Sequence, residues 1–334
     1  MKRASSRAGW YLVVLLTALW AQLFHAGEAR AEATTIRLGH IGVAGSSLFD
    51  IVAQEYARRV NAELKGRYQV QVFPSSQLGS DEQMVKGITS GALEMFEPST
   101  VMSTVEPKFG VFDLPYLITS RSQMRKVADN AELHDALFAS LPAKGMRVLG
   151  VWENGFRHIT NSVRPITKPD DLKGVKLRVP GGTWRVHMFN AYGASPAPLP
   201  FGEVYGALQA GKIDGQENPF AQIASAKLQQ VQKFLSLSGH VYSPAYLIVS
   251  EEFWQKLPED VRATLSRLAR DLGNYARAQG ELLDRQLMSQ LVPPMKVNEV
   301  DKAAFIRASA PLYDQFGKEV PGGAELIQLI QSLR

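Results

Sequence analysis

The stretch Thr35–Phe73, TIRLGHIGVAGSSLFDIVAQEYARRVNAELKGRYQVQVF, decides the fold class. In Thr35–His40, Ile36 and Leu38 alternate with polar neighbours, the pattern of a short strand. Gly42, Gly45 and Ser46 form a loop, and Ser47 with Asp50 three residues on marks a helix start. Phe49, Val52, Ala53, Tyr56, Ala57, Val60 and Leu64 then recur at helical spacing on one stripe, and Gly66 ends the helix. Tyr68, Val70 and Val72 alternate with Gln69 and Gln71 as a half-buried strand. After the loop Pro74–Gly79, Asp81 and Glu82 occupy the first turn of a helix carrying Met84, Val85 and Ile88 and stopping at Gly91. The order β–α–β–α predicts an α/β protein with a mainly parallel sheet and helices on its faces.

Upstream of this unit, Lys2, Arg3 and Arg7 precede an apolar run from Trp10 to Phe24, and Ala29-Arg30-Ala31 has the small-x-small pattern of a cleavage site. Residues 1–31 therefore read as a cleavable secretory signal peptide; the run is shorter than the ~20 residues of a membrane span. The full 334-residue chain carries a formal charge of +5, but removing residues 1–31 leaves 33 basic against 31 acidic side chains, a net of +2. A near-neutral exported chain lacks the clustered basic face of a nucleic-acid binder. The chain has no cysteine, which excludes thiolate catalysis, cysteine-ligated zinc, disulfides and acylation of an N-terminal cysteine as a lipid anchor. The expectation is a free protein outside the cytoplasm, of two ordinary domains.

The same grammar runs downstream. Met146–Trp152, Lys176–Val179, Ile213–Gly215 and Tyr246–Val249 read as strands, and Trp184–Tyr192 and Phe201–Ala210 as helices. From Pro258 to Leu291 no proline intervenes, and Val261, Leu265, Leu268, Leu272, Tyr275, Leu282 and Leu287 keep helical spacing. This is either one helix roughly 50 Å long or two helices kinked at Gly273.

Catalytic motifs are missing from the sequence: no Gly-x-Ser-x-Gly elbow, zinc helix, Walker loop or dinucleotide fingerprint occurs. His40, His134, His158, His187 and His240 are scattered, with no pair at i, i+4. No enzyme, cofactor or metal site is expected. The informative stretch is Trp152–Pro219. Arg157 and Asn218 each fall just past a predicted strand, and Arg178 lies at the end of another. Ligands of open α/β sheets lie beyond such strand ends. Two guanidinium forks and an amide converging there suit a carboxylate. Arg178 interrupts an apolar strand, where a charge without a partner is costly.

Pro74-Ser75-Ser76-Gln77-Leu78-Gly79, Phe112-Asp113-Leu114-Pro115-Tyr116, Asp171-Leu172-Lys173-Gly174-Val175-Lys176-Leu177-Arg178-Val179-Pro180, Gly193-Ala194-Ser195-Pro196, Phe201-Gly202-Glu203-Val204-Tyr205 and Asp214-Gly215-Gln216-Glu217-Asn218-Pro219 occur in that order. Through them nearly the whole mature chain resembles the DctP-type substrate-binding proteins of TRAP (tripartite ATP-independent periplasmic) transporters. The resemblance implies a bilobal periplasmic-binding-protein fold, two α/β domains with a hinge and a long helix spanning both. Domain I would hold residues 32–154 plus about 244–283, and domain II residues 155–243 plus about 284–334 with the C-terminal helices.

The resemblance also implies an organic-acid ligand clamped by Arg178, joined by Arg157 and Asn218, with Phe201 lining the pocket. Glu97, His40 and Trp184 fall where such proteins reach their ligands. The alternatives are core packing for Trp184 and Phe201, a surface carboxylate for Glu97 and a structural role for His40. A Glu97 in the pocket would repel a second carboxylate, which favours a sugar acid or other hydroxy acid over a C4-dicarboxylate. The implied partners are the membrane permease subunits of a TRAP system. Competing readings are a binding protein of an ATP-driven importer, a ligand-presenting receptor and an exported hydrolase.

Overall fold

The computed structural model describes residues 33–334; the expected signal peptide lies outside the described residues. Nine strands form a single mixed sheet: β1 Thr34–Gly39, β2 Tyr68–Phe73, β3 Met95–Phe96, β4 Met146–Asn161, β5 Lys176–Val179, β6 Ser195–Pro198, β7 Gly215–Asn218, β8 Phe234–Ser250 and β9 Lys296–Glu299. Their order is β2-β1-β3-β8-β4-β7-β5-β6, with β9 pairing on β8. β1 runs parallel to β2 and β3, and β5 parallel to β6 and β7. The long antiparallel pair β4–β8 stitches these two parallel triads together. Its register slips three times, between Val148 and Gly150, Glu153 and Gly155, and Arg157 and Ile159. Such bulges bend a strand and sharpen its twist.

The opening β–α–β–α unit has the expected form, with helices at Leu48–Glu63 and Asp81–Thr89. Ser47 caps the first by accepting from Asp50 N–H, and Ser80 with Gln83 makes a capping box on the second. Other elements differ from expectation. β4 continues nine residues past Trp152, and β8 begins twelve residues before Tyr246. The strand expected at Ile213–Gly215 is instead Gly215–Asn218, a fully buried run of Gly-Gln-Glu-Asn. Phe201–Glu203 is a 3₁₀ turn before the helix Val204–Gln209.

Each face of the sheet carries its own core. Strand alternation divides them: in β8, Tyr246 and Ile248 serve one face and Ala245, Leu247 and Val249 the other. Helices Asp81–Thr89, Arg121–Asp129, Ala131–Phe138, Thr183–Ala191, Lys302–Glu319 and Gly323–Ser332 cover the first face. Leu48–Glu63, Phe220–Ser225 and the long helix cover the second.

The long helix is continuous from Glu259 to Leu291. Gly273 is no kink; a Cβ there would stand 2.9 Å from the Val151 carbonyl oxygen, and one on Gly150 would stand 2.5 Å from Ala269 O. These glycines let helix and β4 approach backbone to backbone. Leu282, placed on the apolar stripe by its spacing, is 38% exposed.

Candidate binding site

The two triads face each other across a cleft at the middle of the sheet. A cavity there is lined by Ile41, Phe49, Asp81, Ser99, Thr100 and Val101 from the β1–β3 side. Arg178, Pro180, Gly181, Phe201, Asn218 and Gln222 line it from the β5–β7 side, and Asn154 and Arg157 of β4 complete it. The sides touch next to the cavity: a Cβ on Gly182, whose φ is +135°, would stand 2.6 Å from Ser103 Oγ.

The structure thus brings together Arg178, Arg157, Asn218 and Phe201 and gives them unequal roles. Arg178 is the penultimate residue of β5 and is buried. Its one side-chain hydrogen bond among the described residues runs from Nε to Leu199 O, 2.8 Å. Among the described residues no carboxylate forms an ion pair with it. Burial and the neighbouring Arg157 pull its pKa down to about 10. A buried cation of this kind is short of an anion.

Arg157, within β4 rather than beyond it, is already engaged. Its Nε and Nη2 donate to Glu217 Oε2 and Oε1 at 2.5 and 2.9 Å, and Nη2 also donates to Glu217 O. Arg185, fully buried, donates to the same carboxylate (Nη1 to Oε2, 2.8 Å) and to Asp113 Oδ1 (Nη2, 2.7 Å). His240 Nε2 lies 3.2 Å from Glu217 Oε2. Burial alone would raise the Glu217 carboxyl, but Arg157 and Arg185 outweigh it and hold the group well below the usual carboxylate range. With Glu217 ionised, His240 Nε2 carries the proton of that hydrogen bond. Glu217 therefore neutralises Arg157 and leaves Arg178 as the cleft's cation without an ion-pair partner among the described residues.

Asn218, the last residue of β7, donates from Nδ2 to Gln216 Oε1, 2.6 Å. Phe201 lines the cavity at the start of its 3₁₀ turn. Asp81 lines it half-buried; burial and Glu82 push its carboxyl up to about 7, against the opposing pull of Arg178.

His40, Glu97 and Trp184 are not among the lining residues. His40, directly after β1, is fully buried with Nε2 3.3 Å from Asp50 Oδ1. Glu97, directly after β3, is fully buried rather than a surface carboxylate, and neither carboxyl oxygen has a partner among the described residues. Burial and the Asp50 carboxylate push its pKa well above the usual range. An acid held neutral in this way does not repel a second carboxylate, so the argument from Glu97 against dicarboxylates does not apply. Trp184 packs against Gly110 and, edge to face at 4.9 Å, against Phe316.

Sequence reasoning missed Arg185 and Asn154, placed Asp81 only in a helix's first turn and quoted Asp113 within a motif without giving it a role. Glu217 lay within a quoted motif without a role, although a charged residue in a buried strand calls for a partner.

A profile of the DctP family, described as bacterial extracellular solute-binding protein, family 7, matches residues 38–319. The chain is 33% identical over 292 residues to the 2,3-diketo-L-gulonate-binding periplasmic protein YiaO of Escherichia coli (strain K12), covering 85% of this chain and 88% of the relative. It is 30% identical over 319 residues to the C4-dicarboxylate-binding periplasmic protein DctP of Rhodobacter capsulatus, covering 91% and 92%. Among solved structures, a TRAP periplasmic solute-binding protein from Polaromonas sp. JS666 bound to D-erythronate superposes with a TM-score of 0.84 at 36% identity, covering 90% of this chain and 98% of that one.

Proposed function

Since the chain belongs to the DctP family of bacterial extracellular solute-binding proteins, we propose that it captures a hydroxylated monocarboxylate in the central cleft and delivers it to a TRAP permease from the periplasm. The observation that carries this reading is Arg178, a buried guanidinium without a carboxylate partner on the wall of a cavity. An incoming carboxylate supplies the missing charge, with Asn218 and the outer edge of Arg157 as further donors. The remaining polar liners, Asp81, Ser99, Thr100, Asn154 and Gln222, are neutral or acidic. They suit ligand hydroxyls and offer no cation to a second carboxylate. The names of the E. coli relative and of the Polaromonas complex, both concerned with sugar acids, support the same class. The Rhodobacter relative supports a C4-dicarboxylate as the second reading.

Capture works by hinge closure of two lobes, residues 32–154 with about 244–283 and residues 155–243 with about 284–334. The boundary coincides with the bulge between the pairs Glu153–Pro244 and Gly155–Ser243. Closure expels water, which strengthens the charge-assisted bonds inside. The signal peptide, periplasmic location and permease partner belong to this proposal, as does binding without turnover.

A thermal-shift panel of four- to six-carbon sugar acids, succinate and the corresponding uncharged polyols tests the ligand class, since a ligand of the native form raises the melting temperature by mass action. Sugar acids should stabilise most. Succinate acting more strongly selects the dicarboxylate reading, and polyols acting equally well defeats both. In calorimetry, Arg178→Ala should lose at least about 3 kcal/mol of binding; near-wild-type affinity would end the clamp.

A further inference from the structure

Among the described residues four arginines are buried: Arg157, Arg178, Arg185 and Arg277. Arg157 and Arg185 are paired with carboxylates. Arg178 is not, and it lines the cleft. Arg277 is the second buried arginine without a carboxylate, and it also lines a cavity. That groove holds about 780 Å³ of empty space and shares no lining residue with the cleft.

Its floor is Val148–Val151 of β4, where the register against β8 slips. β7 joins β4 only from His158 onward, so no strand pairs with this stretch on its other side among the described residues. One wall is the long helix, which presents Arg270 and Arg277 seven residues, or two turns, apart on one face. The other wall carries Asp129, His134 and Phe138.

Arg277 is 7% exposed. Its Nη1 donates to Val151 O at 3.4 Å and its Nη2 to Asn274 Oδ1 at 3.0 Å, while Nε has no partner. All of these acceptors are neutral. Gly273 makes the space for this head group: a Cβ there would stand 3.1 Å from Nη2 and 3.6 Å from Nη1. The guanidinium therefore folds back over Gly273, a turn toward Arg270. Arg270 is exposed and makes no ion pair among the described residues. Two cations thus converge on a groove in which Asp129 is the one acidic liner. A buried cation held by neutral dipoles alone is costly to keep, and a bound anion removes that cost.

We propose that this groove is a second binding site, separate from the cleft, that takes an oxyanion group, carboxylate or phosphate, between Arg277 and Arg270. The guanidinium fork matches two oxygens of either group. Isothermal titration of the mature protein with inorganic phosphate and, separately, with acetate tests it, alongside Arg178→Ala, Arg270→Gln and Arg277→Met.

Saturable binding of at least one anion is expected in the wild type and in Arg178→Ala, and which anion binds identifies the source. Affinity should fall about tenfold in Arg277→Met and about threefold in Arg270→Gln, as expected for loss of a charge-assisted contact from a partly desolvated and an exposed cation respectively. Neither substitution should alter affinity for the cleft ligand. Absence of saturable binding to both anions, or binding that survives unchanged in both groove variants, overturns the site. If Arg277→Met does not fold, the exposed Arg270→Gln decides by itself.

Discussion

Arg157 enters the cleft already neutralised by Glu217, whereas Arg178 arrives with one backbone acceptor and, among the described residues, no carboxylate in ion-pair contact. The two differ in what substitution does. Arg178→Lys keeps the charge and loses the planar fork, so it should bind the cognate acid poorly and not merely slightly less well, which calorimetry can resolve. Asp81 adds a pH dependence. Its carboxyl titrates at about 7 in the empty cleft. An anion on Arg178 disfavours the ionised Asp81 further, so capture takes up a proton. Between pH 8 and 6 the ligand carboxylate, with a pKa near about 4, stays ionised. Affinity should therefore rise as the pH falls across this range, and Asp81→Asn should flatten the profile. A wild-type affinity that is constant or falling toward pH 6 contradicts this.

Among the elements, the long helix was legible because thirty-three residues without proline leave no other reading of three-to-four spacing. Gly273 was ambiguous, since a kink and a close approach leave the same mark in a sequence, and Gly280 carried no sequence signal that set it apart. Gly280 now makes a sharp case. Alanine is better than glycine in a helix interior by about 1 kcal/mol. Here its Cβ would collide with Glu153 Oε1, the oxygen held by Arg121 Nε at 2.8 Å. Tyr242 fixes the other carboxylate oxygen at 2.8 Å, so the group cannot swing aside. Disrupting such a buried pair costs about 3–5 kcal/mol, which outweighs the propensity gain. Gly280→Ala should be destabilised by about 2 kcal/mol or more in urea titration, and an unchanged midpoint would refute the packing argument.

β4 and β8 were underestimated for a related reason. Glu153, Asn154, Arg157 and Thr160 in the one, and Ser236, Ser238, His240 and Ser243 in the other, are polar yet buried. Alternation of apolar and polar residues cannot reveal a strand whose polar members face inward into an ion-pair network. The same holds for β7, displaced from its expected position because Gln216, Glu217 and Asn218 look like loop residues until their partners are in place.

Across the whole molecule, the opening β–α–β–α unit and the convergence of Arg178, Arg157, Asn218 and Phe201 could be anticipated from periodicity, strand ends and motifs, but the strand order and the antiparallel β4–β8 pair at its centre could not. The partners of Glu217 could not. Arg185 lies 32 residues and Asp113 lies 72 residues from their respective contacts, Glu217 and Arg185. Only the assembled sheet brings them within reach. This network also joins the two sides of the cleft, since Asp113 belongs to the first side and Arg185 and Glu217 to the second. Trp184 makes a parallel apolar contact: it sits on the second side with its indole against the backbone of Gly110 on the first. The receptor consequently carries its own optical gauge. If the two sides part and close as the proposed hinge motion requires, that ring meets water in the open form and its emission should move to longer wavelength; loading with cargo should shift it back toward the blue, and Trp184→Phe should silence the response while the other tryptophans keep shining. A colour change of equal size in that variant would show that the light comes from elsewhere.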